Sequence, residues 1–265
     1  METIKILGIN GSNRRGGNSR FLLDQALAAA ALAVPGCVDT EIYETGGRTY
    51  LPCTACDRCH SKLGVCRLED DFAELRDKWL EADALIYSVP VYHAGIPGHL
   101  KCFIDRLGES VVEGFFSKQM KVVGCVTSGT GIATGQESVM NFINAHAMML
   151  GCLPFAGEWP GAYTGAGGWT HVDPRKNALK DLHAGNDETT AYLVKSTRNM
   201  AAGIAQLAVL IKTGARQKQV HDLLEKSGRY TMFLRRISGT KPLAIEKPYD
   251  YFATDEDTQL EFDED

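Results

Sequence analysis

Short apolar runs alternate with helix-patterned segments through the first 158 residues, and this constrains the chain more than any other feature. Residues 4–9 are rich in β-branched side chains and end at Asn10-Gly11, the pattern of a buried strand followed by a turn. Asn18 or Ser19 can cap the next helix, an alanine-rich stretch to Ala33 that Pro35-Gly36 stops. Further strands are predicted over 38–43, 84–89, 121–127 and 152–158. Helices are predicted from Asp70 or Asp71 to Leu80, from Pro97 to Leu107, and over 136–150. Strands that return through helices require right-handed crossovers and a parallel sheet covered on both faces. An α/β fold follows.

Five such strands fit the flavodoxin-like order 2-1-3-4-5, with ligands expected beyond the carboxyl ends of the strands. The loops after the first, third and fourth strands all fall on that edge. The first runs from Gly11 to Ser19 between a strand and a helix, so its backbone N–H groups form an anion site. Ser12, Arg14, Asn18 and Ser19 add donors suited to a terminal phosphate. The loop has neither a Gly-x-Gly-x-x-Gly pattern nor the lysine of an ATP-binding loop. The second loop, Ser88 to Gly98, carries Pro90, Val91, Tyr92 and His93, which can offer an isoalloxazine ring polar edges and apolar cover. His93 reads as a packing or hydrogen-bonding residue, since hydride transfer to a flavin needs no protein base. The third loop, from Thr127, Ser128 and Gly129 to Glu137, supplies hydroxyls and backbone donors for the other flavin edge, or else serves as a simple strand–helix turn capped by Thr134.

Four of the chain's eight cysteines, Cys53, Cys56, Cys59 and Cys66, crowd the loop after the second strand. Thiolates at two-residue gaps can converge on one small object, and the arrangement suits a four-cysteine iron–sulfur cluster. Zinc more often takes two separated pairs or a cysteine/histidine mixture; reduced cysteines without metal are the third alternative. Cys37, Cys102, Cys125 and Cys152 have apolar neighbours and read as core residues. The formal net charge is −5, without a basic run interleaved with aromatics, which argues against nucleic acid as a partner. No apolar run is long enough for a bilayer, and the start lacks a signal-peptide layout. A cytoplasmic protein is expected, in a compartment where clustered thiols point to metal or redox work rather than disulfides.

Beyond Pro160 the pattern changes. Residues 161–168 read as a glycine-rich loop, 188–213 as a long helix, and 217–237 as a basic amphipathic helix. The acidic tail carries Tyr249, Tyr251 and Phe252, aromatics suited to docking on a neighbouring subunit. We therefore divide the chain into a flavodoxin-like domain over 1–213, with the cysteine loop at 46–68, and a helical extension with an acidic tail over 214–265.

Gly11-Ser12-x-Arg14, Gly17-Asn18-Ser19, the cysteine segment, Ser88-x-Pro90-Val91-Tyr92 and Leu100-Lys101-x-Phe103-Ile104-Asp105-Arg106 together resemble the NADPH-dependent FMN reductase family. Within it, the four cysteines most resemble those of the iron–sulfur flavoproteins. The resemblance covers roughly residues 4 to 207. It implies FMN at the carboxyl edge, with Ser12, Arg14, Asn18 and Ser19 on its phosphate and Pro90, Val91 and Tyr92 along the ring. It also implies a [4Fe–4S] cluster on Cys53, Cys56, Cys59 and Cys66. The expected activity is an FMN-dependent oxidoreductase that passes electrons between flavin and cluster. The alternatives are a cluster-free NAD(P)H-dependent FMN, quinone, nitro or azo reductase, and a non-enzymatic electron carrier or redox sensor. The partners expected are a small-molecule acceptor, or a ferredoxin-like electron donor. The cluster loop follows the second strand, so pairing of cluster and flavin across subunits of a homo-oligomer, a dimer or tetramer, is expected.

Overall fold

The computed structural model describes residues 2–111, 118–155, 157 and 163–240. The alternating apolar runs form β1 (Ile4–Asn10), β2 (Val38–Glu44), β3 (Ala84–Pro90), β4 (Val122–Gly129) and β5 (Leu153–Pro154). They lie parallel in the order β2-β1-β3-β4-β5. A sixth strand, β6 (Ala166–Trp169), also pairs with β4.

Because successive strand side chains point to opposite faces, each buried strand feeds two cores. Leu7, Ile9, Leu85, Tyr87, Val123 and Cys125 pack on one face, with side chains of α3 (Phe72–Glu81), α4 (Gly98–Ser110) and α5 (Gln136–Met149). Ile4, Ile6, Ala84, Ile86, Val122 and Val126 pack on the other, under α1 (Asn18–Ala33) and the long α7 (Glu188–Ala215). Gly8 lets α1 lie directly on β1: a Cβ there would meet Leu23 and Leu27 at 2.9 Å. Of the cysteines expected in the core, Cys37, Cys125 and Cys152 are buried, and Cys102 is partly buried against the first core.

The fifth strand differs from the expected 152–158. Among the described residues it is two residues long and pairs with Val122 and Val123; Glu158 lies outside the described residues. Pro154 has no N–H to extend the ladder. β4 is continued instead by β6, which pairs with Val126 to Gly129, so the end of the expected glycine-rich loop is a strand. A short helix, α6 (Ala178–Ala184), precedes α7. The helix expected over 217–237 is two helices, α8 (Lys218–Lys226) and α9 (Thr231–Ile237), separated where Gly228 takes φ +66°. The aromatic tail residues Tyr249, Tyr251 and Phe252 lie outside the described residues. None of the described helices is long and apolar enough to cross a membrane.

Candidate functional site

The carboxyl ends of β1, β3 and β4 open into one cleft, lined by Ser12, Arg14, Asn18 and Ser19 from the first loop. Pro90, Val91 and Tyr92 come from the second, and Ser128, Gly129 and Thr130 from the third. Thr170 and Asp173, from the segment after β6, complete it. Thr130 belongs to the expected third loop, whereas Thr170 and Asp173 were not expected. Thr127 and His93 are absent from the lining. Thr127 is fully buried, one residue short of the mouth, and its Oγ1 has no hydrogen-bond partner.

The first loop is shaped by its own side chains. Asn10 Oδ1 accepts from Ser12 N at 3.2 Å, and Ser12 Oγ accepts from Arg14 N at 3.1 Å. Neither Asn18 nor Ser19 caps α1. Gly17 stands at the N-cap with no side-chain cap, leaving first-turn N–H groups of the helix without intrahelical acceptors. Such donors, reinforced by the helix dipole, fit a phosphate. The side chains of Arg14 and Asn18 turn elsewhere. Arg14 Nη1 donates to Pro174 O at 3.0 Å, and Asn18 bridges Arg175 O at 3.3 Å and Leu179 N at 3.0 Å. The segment before α6 is thereby strapped across the phosphate loop. Asp173, the acid at the cleft, is matched by Arg175 at 2.7 Å, which holds its carboxyl below the ordinary range.

The second loop closes on itself. Tyr92 N donates to Gly95 O at 2.9 Å and Gly95 N to Tyr92 O at 3.0 Å, around His93 and Ala94 at φ +48° and +63°. Two non-glycine residues in this left-handed geometry are strained, and such strain gathers at ligand sites. The turn places His93 at its exposed tip, away from the cleft lining. β3 and β4 hold the neighbouring loops in register, with Val91 N donating to Ser128 O at 3.0 Å.

A second cavity lies beyond β2. Cys53, Cys56, Cys59 and Cys66 all line it, with Arg67, Arg106 and Glu109 among its other walls. Between them the chain takes a single turn, α2 (Arg58–Ser61), flanked by Ala55, Asp57 and Leu63 at φ +46°, +53° and +52°. Cys53 and Cys56 are exposed, and Cys59 and Cys66 half-buried. Among the described residues, no three of the four sulfurs lie within 4.8 Å of one another. A single tetrahedral zinc with bonds of about 2.3 Å would draw its sulfurs to within roughly 4 Å of each other. The thiols also differ. Burial, then Glu109, pushes Cys59 up to about 11, while the backbone N–H of Arg58 and the Thr54 hydroxyl lower Cys56. Cys59 Sγ donates to Glu109 O at 3.5 Å, and His60 Nε2 lies 3.3 Å from the Glu109 carboxylate. The two cavities share no lining residue.

Residues 4–163 match the NADPH-dependent FMN reductase family. The chain belongs to that family. As a member it is an FMN-dependent flavin oxidoreductase. An iron–sulfur flavoprotein of Methanocaldococcus jannaschii is 29% identical over 209 residues, 79% of this chain and the whole of that relative. One from Archaeoglobus fulgidus is 31% identical over 165 residues, 62% of this chain and 82% of the relative. Among solved structures, RosB with bound 8-demethyl-8-formylriboflavin-5'-phosphate superposes with a TM-score of 0.58 at 18% identity, over 85% of this chain and 86% of that one. That likeness concerns the fold alone. The first cleft suits the family's FMN: the uncapped α1 N-terminus offers donors that a phosphate could take, and the orphaned Thr127 hydroxyl lies beneath the third loop.

Proposed function

We propose that this FMN oxidoreductase also carries a [4Fe–4S] cluster on Cys53, Cys56, Cys59 and Cys66 and exchanges electrons between the two groups. One observation carries the reading: all four loop cysteines line one cavity, and their sulfurs are spread more widely than one zinc would hold them. Relatives named iron–sulfur flavoproteins support it. Bound flavin supplies the conversion between two-electron and one-electron transfer, and a cluster passes single electrons.

The chain's own residues do the rest. The first-turn amides of α1 and the Ser12 and Ser19 hydroxyls hold the phosphate. Arg14, now on the Pro174 carbonyl, stands beside that site as a further cation. Pro90, Val91 and Tyr92 lie along the ring, and Ser128 and Gly129 face its other edge. His93, at the exposed tip of its turn, stands outside the cleft lining and leaves the ring to Pro90, Val91 and Tyr92. NAD(P)H, a small-molecule acceptor and a ferredoxin-like donor are the expected exchange partners.

An anaerobic preparation should contain one FMN and, as four cysteine ligands require, about four irons and four sulfides per chain. Flavin without iron would select a cluster-free NAD(P)H-dependent reductase. That second reading is favoured by a Bacillus subtilis relative named a putative NAD(P)H-dependent FMN-containing oxidoreductase, 31% identical over 122 residues. If NADPH fails to bleach the flavin while a reduced ferredoxin succeeds, the chain is an electron carrier.

A further inference from the structure

Arg106 of α4 is the wall of the cysteine cavity that the proposed function leaves unused. Its side chain is 1% exposed and pairs with Asp70, 2% exposed, at 2.5 Å. A buried ion pair is tolerable only where further hydrogen bonds satisfy both partners. Asp70 is satisfied, since its carboxylate accepts from Leu51 N at 2.8 Å and Phe72 N at 3.1 Å. Arg106 spends its fork on the two stems of the cysteine loop: Nη1 donates to Leu51 O at 3.4 Å, and Nη2 to Leu68 O at 3.3 Å. Leu51 lies two residues before Cys53 and Leu68 two after Cys66, so one side chain closes the loop that holds all four sulfurs.

Asp70, Leu51 O and Leu68 O take three of the N–H groups of Arg106 and leave two over. Arginine presents five N–H groups, and the buried Nε of Arg106 has no partner. The Phe72 ring covers one face of the guanidinium at 4.3 Å, and the side chain also lines the cavity with the cysteines. Burial opposes its charge, yet hydrogen bonding to Asp70 and Cys66 more than offsets this, so Cys66 is an immediate neighbour of the guanidinium.

We propose that Arg106 is a positioning residue that locks both stems of the cysteine loop and presents its guanidinium to the Cys66 sulfur, setting the reduction potential of the cluster bound there. This rests on the reading that the four cysteines hold a cluster. Hydrogen bonds to ligand sulfurs favour the reduced, more negative state and so raise the potential. Arg67, the other arginine at the cavity, is exposed, donates to Thr54 Oγ1 and lies beside Cys56, so it serves a different sulfur and ties neither stem.

Arg106→Lys keeps a cation opposite Asp70 but removes the fork and the Nε donor. The potential is read by redox titration of the anaerobic holoprotein, followed by electron paramagnetic resonance. Retention is read as the rate of cluster bleaching by a chelator. The expected result is a lower potential, shifted at least tenfold in the one-electron equilibrium (about 59 mV), with bleaching several-fold faster. The paired change Asp70→Asn with Arg106→Gln keeps the shapes without the charges. It is expected to shift both readings the same way, and it is the variant to read if Arg106→Lys does not fold. Wild-type potential and bleaching rate in a folded variant overturn the role of Arg106 while leaving the cluster reading intact. Wild-type protein prepared without iron and sulfide overturns both.

Discussion

At Gly135 a single carbon decides whether two loops of the flavin cleft can meet. The residue takes φ +122°, and a Cβ there would lie 2.6 Å from Ala94 Cα and 2.8 Å from Ala94 C. The obstacle is backbone, which cannot swing aside as a flexible side chain would. Gly135→Ala should therefore lower stability by about 1–3 kcal/mol and weaken FMN binding by pushing the Tyr92 turn outward. Urea unfolding and fluorescence titration with FMN check the two effects, and wild-type affinity would detach this contact from the flavin site. The cysteines allow a second test at this scale. Thiolate is the reactive form. In iron-free protein Cys56, whose pKa is lowered, should alkylate at lower pH than Cys59, which titrates near 11. Site-resolved mass spectrometry across pH 7 to 10 reads the order, and reaction of Cys59 first would contradict the assignment.

Asp83 ties elements together at the opposite, amino end of the sheet. Its buried carboxylate accepts from Lys5 N of β1 at 3.0 Å, Lys212 Nζ of α7 at 2.8 Å and Arg236 Nε of α9 at 3.2 Å. Burial would raise its pKa, but Arg236 and Lys212 outweigh burial and hold it below the ordinary 3.8. A carboxyl with a depressed folded pKa contributes stability that is present above the unfolded value and is lost as pH falls through the folded one. Melting temperature should therefore fall on acidification below about 3.8 in wild type. Asp83→Asn should be less stable at neutral pH, with a shallower acid slope, and parallel acid profiles would remove Asp83 from the account. The elements joined here were unequally legible in sequence. β1 to β4 announced themselves by β-branched runs and turn residues, because burial on two faces demands that composition. β6 did not. Its four residues Ala-Gly-Gly-Trp carry no periodicity, and they are a strand only because β4 outruns β5 and offers unpaired backbone. The glycines serve close approach: a Cβ on Gly165 would meet Cys125 O, and one on Gly168 would meet Leu193, each at 2.5 Å. Thr170 and Asp173 reach the cleft through that strand, so no local motif could have signalled them. The glycine that splits α8 from α9, Gly228, stood in the sequence, yet helical spacing on both sides masked it.

At the scale of the whole molecule, the proposed cluster must exchange electrons with the flavin although the two cavities have no residue in common. The loops touch back to back: a Cβ on Gly46, at the start of the cysteine loop, would lie 2.7 Å from Asn13 O of the phosphate loop. The lining residues nevertheless face separate cavities, Ser12 and Tyr92 in one and the cysteines in the other. If electrons cross between subunits, a chain that has lost its cluster and a chain that has lost its flavin should complement each other. Cys56→Ser removes a proposed ligand from an exposed position and leaves the flavin cleft alone. Asn18→Asp keeps the oxygen that accepts from Leu179 N, but puts negative charge beside the phosphate and removes the donor to Arg175 O. Each variant alone should show no reduction of the cluster through flavin, Cys56→Ser for want of the cluster and Asn18→Asp for want of FMN. Co-expressed, they form mixed oligomers in which an intact flavin of one chain faces an intact cluster of the other. NADPH-driven bleaching of the cluster, read anaerobically by its visible absorbance, should then return to a substantial fraction of wild type. Transfer confined within one chain predicts no recovery in any mixture, because no chain then holds both cofactors. Recovery that vanishes when the oligomer is diluted to monomers would place the electron path at the subunit interface.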